Sequence, residues 1–387
     1  MDTQNSKANK TIKPRFSGRK SGTTLKDSCV LIMGQSPSSN SYNTSGDGLP
    51  FYQGNADFGE ENPVPRSWCT EPKKIAEKGD ILISVRAPIG AINIADEKCC
   101  IGRGVAAIRP NQEVMSPDFL QHQLFASRNK LEAMGTGSTF KAVGKKTLSD
   151  FPVVIYPKNT QEAIAQQLNS IKKQIKTANS QLDQLDALVK SRFIEMFGDP
   201  AANTMEWKTS PVDEICPQCS SKTPTVGQVW QLGLEMIEPD SGRVTSKTIV
   251  DARSLKSSNT GFSSSHVLYS KLRSYLNKVV LPDDDGVCTT ELVPLLPKHD
   301  VLERTYLCYL LRSKPFVDYI SKQVAGAKMP RVDMKKFKAF QVPVPPFNFQ
   351  QEFAAFVAQI DKLRFKTQQQ IEKLEMLKKS LMQDYFG

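Results

Sequence analysis

The chain has 387 residues and a formal net charge of +11 at pH 7, and 39% of its residues are hydrophobic. This length is sufficient for two or three domains with separate cores, and the sequence has no apolar run of about 18 residues, so a membrane span is not expected. Eight cysteines in a long chain without an apolar signal segment indicate reduced thiols. We therefore expect a cytoplasmic protein.

The first 24 residues are predicted to form a disordered basic arm, because they combine low hydrophobicity with many lysines and arginines. Residues 1–26 contain seven basic residues and one acidic residue, so they hold +6 of the net charge. A polyanionic partner and a solvated tail both account for this charge. If the body of the chain binds DNA, it must use local basic patches, because little net charge remains there.

A first mostly-β domain is predicted over residues 25–158. Its apolar runs are short and are interrupted by Gly, Pro and Asp, as in GDILISVRAPIGAINIADE at residues 79–97. This pattern is typical of strands joined by turns.

A long helix is predicted over residues 159–198. Its apolar residues recur with an average spacing near 3.5, which is typical of a coiled-coil seam, and Gly198 followed by Pro200 ends the pattern. At about 1.5 Å per residue the helix spans about 55 Å, too long to bury its seam within one small domain. The expected seam residues are Ile164, Leu168, Ile171, Ile175, Leu182, Leu185 and Phe193.

The second half of the chain repeats the first. Residues 135–198 align without a gap with residues 324–387, and upstream of this match Val85-Arg86 aligns with Leu272-Arg273. The front segments of the two halves match poorly. Such a long ungapped match indicates a tandem duplication.

The duplication predicts a second mostly-β domain over residues 199–346 and a second long helix over residues 347–387. We predict an α+β fold in which the two seams bury each other in an antiparallel coiled coil with pseudo-twofold symmetry. The alternative is that each helix packs separately on its own domain. The expected seam residues of the second helix are Phe353, Val357, Ile360, Ile371, Leu374, Leu377 and Leu381.

The sequence carries no convincing catalytic or metal-binding motif. Gly144-Lys-Lys-Thr147 lacks the first glycine of a phosphate-binding loop. Val344-Pro-Pro-Phe347 lacks the polar residue that adenine methyltransferases place before the two prolines. Cys216 and Cys219 have zinc-ligand spacing but no second ligand pair. We therefore expect a non-catalytic binding protein that holds neither a metal ion nor a cofactor.

Two homologous domains at a fixed separation suit a DNA target with two separated half-sites. Basic residues at related positions, such as Arg86 with Arg273 and Lys146 with Lys335, are expected to contact phosphates, and base-reading residues should lie where the halves differ. Each candidate could instead be an ordinary solvated side chain. The candidate DNA contacts are Arg86, Arg103, Lys141, Lys145 and Lys146 in the first half, and Arg273, Asn277, Lys278, Lys328, Arg331 and Lys335 in the second.

Several stretches together resemble the specificity (S) subunit of type I restriction–modification enzymes. The resemblance covers nearly the whole chain beyond the arm, in the order target-recognition domain, central helix, second target-recognition domain, distal helix. The stretches that carry it are MGQSPSSNSYN, GLPFYQGNADFG, KGDILISVRAPIG, LRSYLNKVVLPDDDGVCTTEL and PPFNFQQEFAAFVAQIDKLRFKTQQQIEKLEMLKKSLMQDYFG.

The resemblance implies a subunit without a catalytic centre that reads an asymmetric bipartite site in double-stranded DNA. It implies two modification (methyltransferase) subunits that use S-adenosylmethionine to methylate adenine and dock against the two helices. It also implies restriction subunits that use ATP and Mg for translocation and cleavage. The alternatives are the DNA-recognition subunit of another multi-subunit methylation or phage-defence system and a coiled-coil scaffold that does not bind DNA.

Overall fold

The computed structural model describes residues 18–137, 141–325 and 329–387, so most of the expected arm lies outside the described residues. The chain divides into unit 1, Met1–Ala178 with Gln370–Gly387, and unit 2, Asn179–Gln369. Within the described ranges, no helix combines the length and the apolar character needed to cross a membrane.

Unit 1 is built mainly from two sheets. One is four-stranded and antiparallel in the order β2-β10-β7-β8, and the other is five-stranded in the order β3-β5-β4-β9-β6 with β4 and β9 parallel. The strands are β1 (Lys20–Thr24), β2 (Cys29–Met33), β3 (Tyr42–Asn43), β4 (Leu49–Tyr52), β5 (Trp68–Cys69), β6 (Ile75–Ala76), β7 (Ile81–Ser84), β8 (Ile92–Ile94), β9 (Cys99–Ile101), β10 (Val105–Pro110) and β11 (Pro152–Ile155). The helices are α1 (Leu25–Ser28), α2 (Pro117–Ala126), α3 (Arg128–Ala133), α4 (Lys145–Ser149) and the first part of α5 (Lys158–Phe197).

The four-stranded sheet of unit 1 is buried on both faces. Successive side chains of a strand point to opposite faces, so Ile81 and Ile83 enter one core while Leu82 enters another. The first core also contains Phe119 of α2 and Leu168 of α5. Because β7 is covered on both sides, its sequence is a continuous apolar run rather than an alternating one.

The predicted arm was too long. Residues Lys20–Thr24, which the prediction assigned to the arm, form β1 and pair with β11 in an antiparallel ladder. The polar sequence KSGTT gives no hydrophobic signal for a strand. Backbone hydrogen bonds to β11 hold this segment as a strand. The side-chain pattern of a sequence does not reveal such bonds.

Unit 2 repeats this architecture with shorter sheets. The sheets are β14-β13-β18-β15, β17-β16-β19, β12-β22 and β20-β21. The strands are β12 (Thr209–Pro211), β13 (Gln228–Leu232), β14 (Thr248–Asp251), β15 (Thr260–Phe262), β16 (Val267–Ser270), β17 (Val279–Val280), β18 (Gly286–Cys288), β19 (Leu292–Leu295), β20 (Val324–Ala325), β21 (Arg331–Val332) and β22 (Gln341–Pro343). The helices are α6 (Val212–Ile215), α7 (Arg304–Arg312), α8 (Lys314–Ser321), α9 (Met334–Lys338), the second part of α5 and the first part of α10 (Phe347–Phe386).

The front segments of the two units share a topology that their sequences do not show. In unit 1 the parallel pair is β4 with β9, and in unit 2 it is β13 with β18. Likewise β1 pairs with β11 and β12 pairs with β22, immediately before each long helix. The duplication therefore includes the front segments.

In unit 1 the start of α5 packs against the end of α10. The Tyr156 hydroxyl donates to the Tyr385 carbonyl oxygen (3.2 Å), and the Tyr385 hydroxyl donates to Gln167 Oε1 (2.9 Å). The rings of Phe119 and Phe386 meet edge to face with centroids 5.2 Å apart. The two helix segments therefore run antiparallel within this unit.

In unit 2 the end of α5 packs against the start of α10. Phe193 and Phe197 each lie with ring centroids 5.5 Å from that of Phe353, and the Arg192 guanidinium pairs with Glu352 (3.5 Å). The predicted antiparallel pairing of the long helices is thus confirmed within each unit. The ends of both seams also contribute to the cores of the β-rich parts. At these ends each helix therefore also packs on its own domain, as the alternative prediction proposed.

Most predicted seam residues are buried or half-buried, but Leu377 was placed wrongly. Its side chain is 46% exposed. A helix turns by about 100° per residue, so half-buried Lys378, rather than Leu377, lies on the stripe with Ile371 and Tyr385. Buried positions are Ile164, Leu168, Ile171, Phe193, Phe353, Val357, Ile360 and Ile371; half-buried positions are Ile175, Leu182, Leu185, Leu374 and Leu381.

Candidate DNA-recognition surface

A surface recess in unit 1 brings together two of the predicted DNA contacts. It has a volume of about 150 Å³ and opens beside a wider depression of about 550 Å³. The side chains of Arg86 and Arg103 line it and are exposed. The other lining residues are Ser36, Gln53, Gly54, Asn55, Ala87 and Gly104.

Backbone hydrogen bonds fix the loop between β9 and β10 that carries Arg103. The Gly102 amide donates to the Tyr52 carbonyl oxygen (2.8 Å), and the Gly104 amide donates to the Gln53 carbonyl oxygen (3.0 Å). A Cβ atom at Gly104 would lie only 2.3 Å from that Gln53 oxygen, so this close approach requires glycine. The loop thereby holds Arg103 at the rim of the recess.

Several polar groups of the recess are available to a ligand. Arg103 donates from Nε to Ser36 Oγ (3.2 Å), and within the described ranges neither Arg103 nor Arg86 forms an ion pair. The side-chain amides of Gln53 and Asn55 have no hydrogen-bond partner among the described residues. The recess therefore offers unneutralised positive charge beside two amides that can donate and accept.

Contacts of Gly59 and Glu61 hold the loop after β4, which carries Gln53 and Asn55. Buried Asn93 accepts from the Gly59 amide (2.9 Å) and donates to the Gly59 carbonyl oxygen (3.1 Å). Glu61 pairs with Lys172 of α5 (3.0 Å), and this contact lowers the pKa of the Glu61 carboxyl. These contacts position the loop against β8 and α5.

The other candidates of unit 1 lie near this surface or on α4. Lys141 is exposed and precedes Ala142, whose backbone bridges to Arg86. Lys145 and Lys146 are exposed in the first turn of α4. Within the described ranges none of these three lysines forms an ion pair.

The candidates of unit 2 that lie within the described residues fall into two groups. Arg273 and Lys335 are exposed, and Arg331 is exposed but pairs with Glu291 (2.8 Å). Asn277 and Lys278 are instead bound internally. Asn277 Nδ2 donates to the Arg312 carbonyl oxygen (2.9 Å), and Lys278 Nζ donates to the Leu234 carbonyl oxygen (2.8 Å). The last candidate, Lys328, lies outside the described residues.

One pair of candidate DNA contacts, Lys146 and Lys335, occupies the same structural position in the two units. Helices α4 and α9 have equal lengths and directly precede β11 and β22. Lys146 and Lys335 are each the second residue of their helix and are both exposed. This equivalence agrees with the sequence alignment.

The expected equivalence of Arg86 and Arg273 was wrong by one residue. The Val143 amide donates to the Val85 carbonyl oxygen (2.9 Å), and in unit 2 the Val332 amide donates to the Lys271 carbonyl oxygen (2.9 Å). Val85 therefore corresponds to Lys271, and Arg86 corresponds to Leu272. The cause is the β16–β17 connection, residues 271–278, which is one residue longer than the β7–β8 connection, residues 85–91.

The sequence prediction missed Ser36, Gln53 and Asn55. They lie in the stretches MGQSPSSNSYN and GLPFYQGNADFG, in the front segment that differs between the halves. That divergence was the available signal, because base-reading residues are expected where the halves differ. The sequence does not show which polar residues of this segment form the site. The folded sheet determines this, because it brings residues 36, 53–55, 86 and 103 to one recess.

Comparison with known proteins agrees with the two-unit architecture. The family model of the type I restriction modification DNA specificity domain matches residues 22–187 and 205–376. A solved S subunit of a type I restriction–modification system from M. genitalium has the same fold, with a TM-score of 0.59, 14% identity, and coverage of 97% of this chain and 99% of that chain.

Curated relatives carry related names. The putative type I restriction enzyme MjaX specificity subunit of Methanocaldococcus jannaschii is 42% identical over 160 residues, which are 41% of this chain and 38% of the relative. The EcoDI specificity subunit of Escherichia coli is 21% identical over 331 residues, which are 76% of this chain and 72% of the relative. The chain thus spans well under half of the MjaX protein. The family match covers most of the sequence, and the chain belongs to the type I restriction modification DNA specificity domain family.

Proposed function

We propose that this chain is the specificity subunit of a type I restriction–modification enzyme and reads an asymmetric bipartite site in double-stranded DNA. Unit 1 would bind one half-site and unit 2 the other. One observation carries this proposal: the two units share an exposed lysine position but differ in the loops around the recess. Lys146 and Lys335 are exposed at equivalent positions, whereas the loops around the recess of unit 1 have different residues in unit 2.

This division matches the way proteins recognise DNA. Contacts to phosphates set the register of a protein on the duplex without reading its sequence, and contacts to base edges supply specificity. A lysine that both units share suits the first role. Residues that only one unit has suit the second, and a different set in each unit makes the recognised site asymmetric.

In this proposal the chemistry belongs to partner subunits. Two modification subunits would bind S-adenosylmethionine and methylate adenine, and restriction subunits would use ATP and Mg to translocate and cleave DNA in the cytoplasm. Large apolar side chains exposed on the long helices support a protein partner there, because such groups are typical of interaction surfaces. They are Leu188, Ile194, Leu363 and Phe365 in unit 2, and Met376 and Leu377 in unit 1.

Methylation mapping tests the proposal. Genomic DNA from cells with and without this chain would be sequenced for N6-methyladenine. We expect one bipartite motif to lose its methylation in the deletion and to regain it when the full chain is restored. If every adenine motif keeps its methylation in the deletion, the chain is not a methylation specificity subunit.

A further inference from the structure

We infer that the recess of unit 1 reads base edges and that Arg103 reads a guanine in the half-site bound by this unit. This inference rests on the proposed function, because it requires that the chain bind DNA. It goes further by assigning one residue to one base. The support comes from the geometry of Arg103 and from the register that relates the two units.

The geometry of Arg103 suits guanine. Its Nε is bound to Ser36 Oγ (3.2 Å), which orients the guanidinium plane. Its two terminal amino groups have no partner among the described residues. A guanidinium with both terminal groups available donates two hydrogen bonds to the O6 and N7 atoms of guanine in the major groove.

The strand register identifies the unit 2 positions that correspond to the recess. In the parallel pair of unit 1, Tyr52 lies opposite Ile101, and both residues end their strands. In unit 2, Leu232 lies opposite Cys288 and again both end their strands. The three-residue connections that follow, residues 102–104 and 289–291, have equal lengths.

Counting onward from these pairs shows that unit 2 lacks four of the polar side chains that line the recess, those of Gln53, Asn55, Arg86 and Arg103. A site present in one unit alone does not suit a contact that both units make to the DNA backbone. It suits the reading of a half-site that differs from the other. The counterparts are Gly233 for Gln53, Glu235 for Asn55, Leu272 for Arg86 and Thr290 for Arg103.

The neighbouring side chains match the same task. The amides of Gln53 and Asn55 can each donate to and accept from a base edge, as asparagine and glutamine do with adenine. Arg86 also lines the recess and supplies positive charge. The rival assignment for Arg103 is a phosphate contact, because a guanidinium binds phosphate equally well.

The test uses the full chain in complex with its modification subunits. The complex would select from a duplex library randomised over both half-sites, and bound sequences would be counted. We expect Arg103→Ala to reduce the preference for guanine at one position of one half-site by about 5- to 140-fold. Preferences in the other half-site should be unchanged, which also shows that the variant is folded. Arg103→Thr, which introduces the unit 2 counterpart, should behave in the same way.

Lys146→Ala is the matched control, because Lys146 has a counterpart in unit 2. It should weaken binding to all sequences evenly and leave every base preference intact. If Arg103→Ala and Arg103→Thr behave like Lys146→Ala, Arg103 contacts a phosphate and the inference is wrong. If the wild-type complex shows no base preference at any position, the proposed function itself is wrong. This result differs from the failure of the Arg103 inference, in which the wild-type complex still shows base preferences.

Discussion

Gln161 and Gln350 make the same three hydrogen bonds, one set in each unit. Gln161 Oε1 accepts from the Ser116 amide (2.8 Å), while its Nε2 donates to the carbonyl oxygens of Val114 and Tyr156 (2.8 Å each). Both glutamine side chains are fully buried. In unit 2 the corresponding partners of Gln350 are Glu303 (2.8 Å), Val301 (3.0 Å) and Pro345 (2.8 Å).

These glutamines join the first turn of each long helix to two other segments of its unit. One segment directly precedes the helix, and the other precedes α2 or α7. Since buried backbone groups need partners, each glutamine satisfies three groups that the surrounding chain leaves unpaired. Each glutamine is therefore expected to fix the direction in which its helix leaves the β-rich part.

Gln161→Leu should destabilise the protein by about 3 kcal/mol or more, because each buried backbone group left unsatisfied costs about 1–3 kcal/mol. The free energy of unfolding from chemical denaturation measures this change. Gln166→Leu is the control, since Gln166 is exposed on the same helix and should change stability by no more than about 0.5 kcal/mol. Equal effects of the two substitutions would contradict the role assigned to Gln161.

Phe193→Ala should destabilise unit 2 by about 3–5 kcal/mol, the usual cost of removing a buried phenylalanine ring. Its ring centroid lies 5.5 Å from that of Phe353 on α10 and 5.7 Å from that of Tyr306 on α7. Ile194→Ala is the matched control, because Ile194 is 44% exposed. Thermal and chemical unfolding of both variants would show a large loss for the first and a small one for the second. A small loss for Phe193→Ala would refute the importance of this aromatic contact.

The sequence revealed the long helices because their signal is local and repetitive. A spacing near 3.5 residues persists over about eight turns of each helix, and Gly198 ends α5 with a left-handed φ of 73°. The strands of the front segments were harder to find. Many contain two to four residues, and a run that short carries too few alternations to define a strand or its partner.

The candidate site was predictable only in part. Arg86 and Arg103 were chosen for their charge, and both line the recess. Asn277 was also a predicted contact, but its side chain is bound to the Arg312 carbonyl oxygen. Whether a polar side chain faces solvent or an internal partner depends on tertiary packing, which neither composition nor spacing contains.

Stability should fall on acidification partly because of His122. Burial lowers the pKa of this histidine, although its hydrogen bond to Asn169 (2.7 Å) acts in the opposite direction. The unfolded chain, with a histidine pKa of about 6.5, therefore takes up the proton first as pH falls. The stability supplied by neutral His122 is present above about pH 6.5 and is lost as pH falls through the lower folded-state pKa.

His122→Gln keeps a donor toward Asn169 and removes the titration. Denaturation midpoints at pH 7.5 and pH 5.5 should therefore differ less for this variant than for the wild type. An identical pH dependence in both proteins would show that His122 does not contribute to acid destabilisation.

Lys146→Ala and Lys335→Ala should each weaken DNA binding without changing its sequence preference. A contact that neutralises one phosphate releases counterions, so its loss reduces the slope of log affinity against log salt concentration by about 0.9. Affinities for a specific and an unrelated duplex would be measured at several salt concentrations. Both affinities should fall by similar factors, because phosphates are present in every sequence.

The charge-preserving variants Lys146→Arg and Lys335→Arg are the controls and should keep the wild-type slope. The double variant Lys146→Ala with Lys335→Ala should reduce the slope by about twice as much as either single variant, since each lysine would act in its own half-site. A slope that stays unchanged in both single variants would exclude these lysines from the backbone contacts. In that case Lys146 and Lys335, although they occupy equivalent positions in the two units, would have no role in setting the register on DNA.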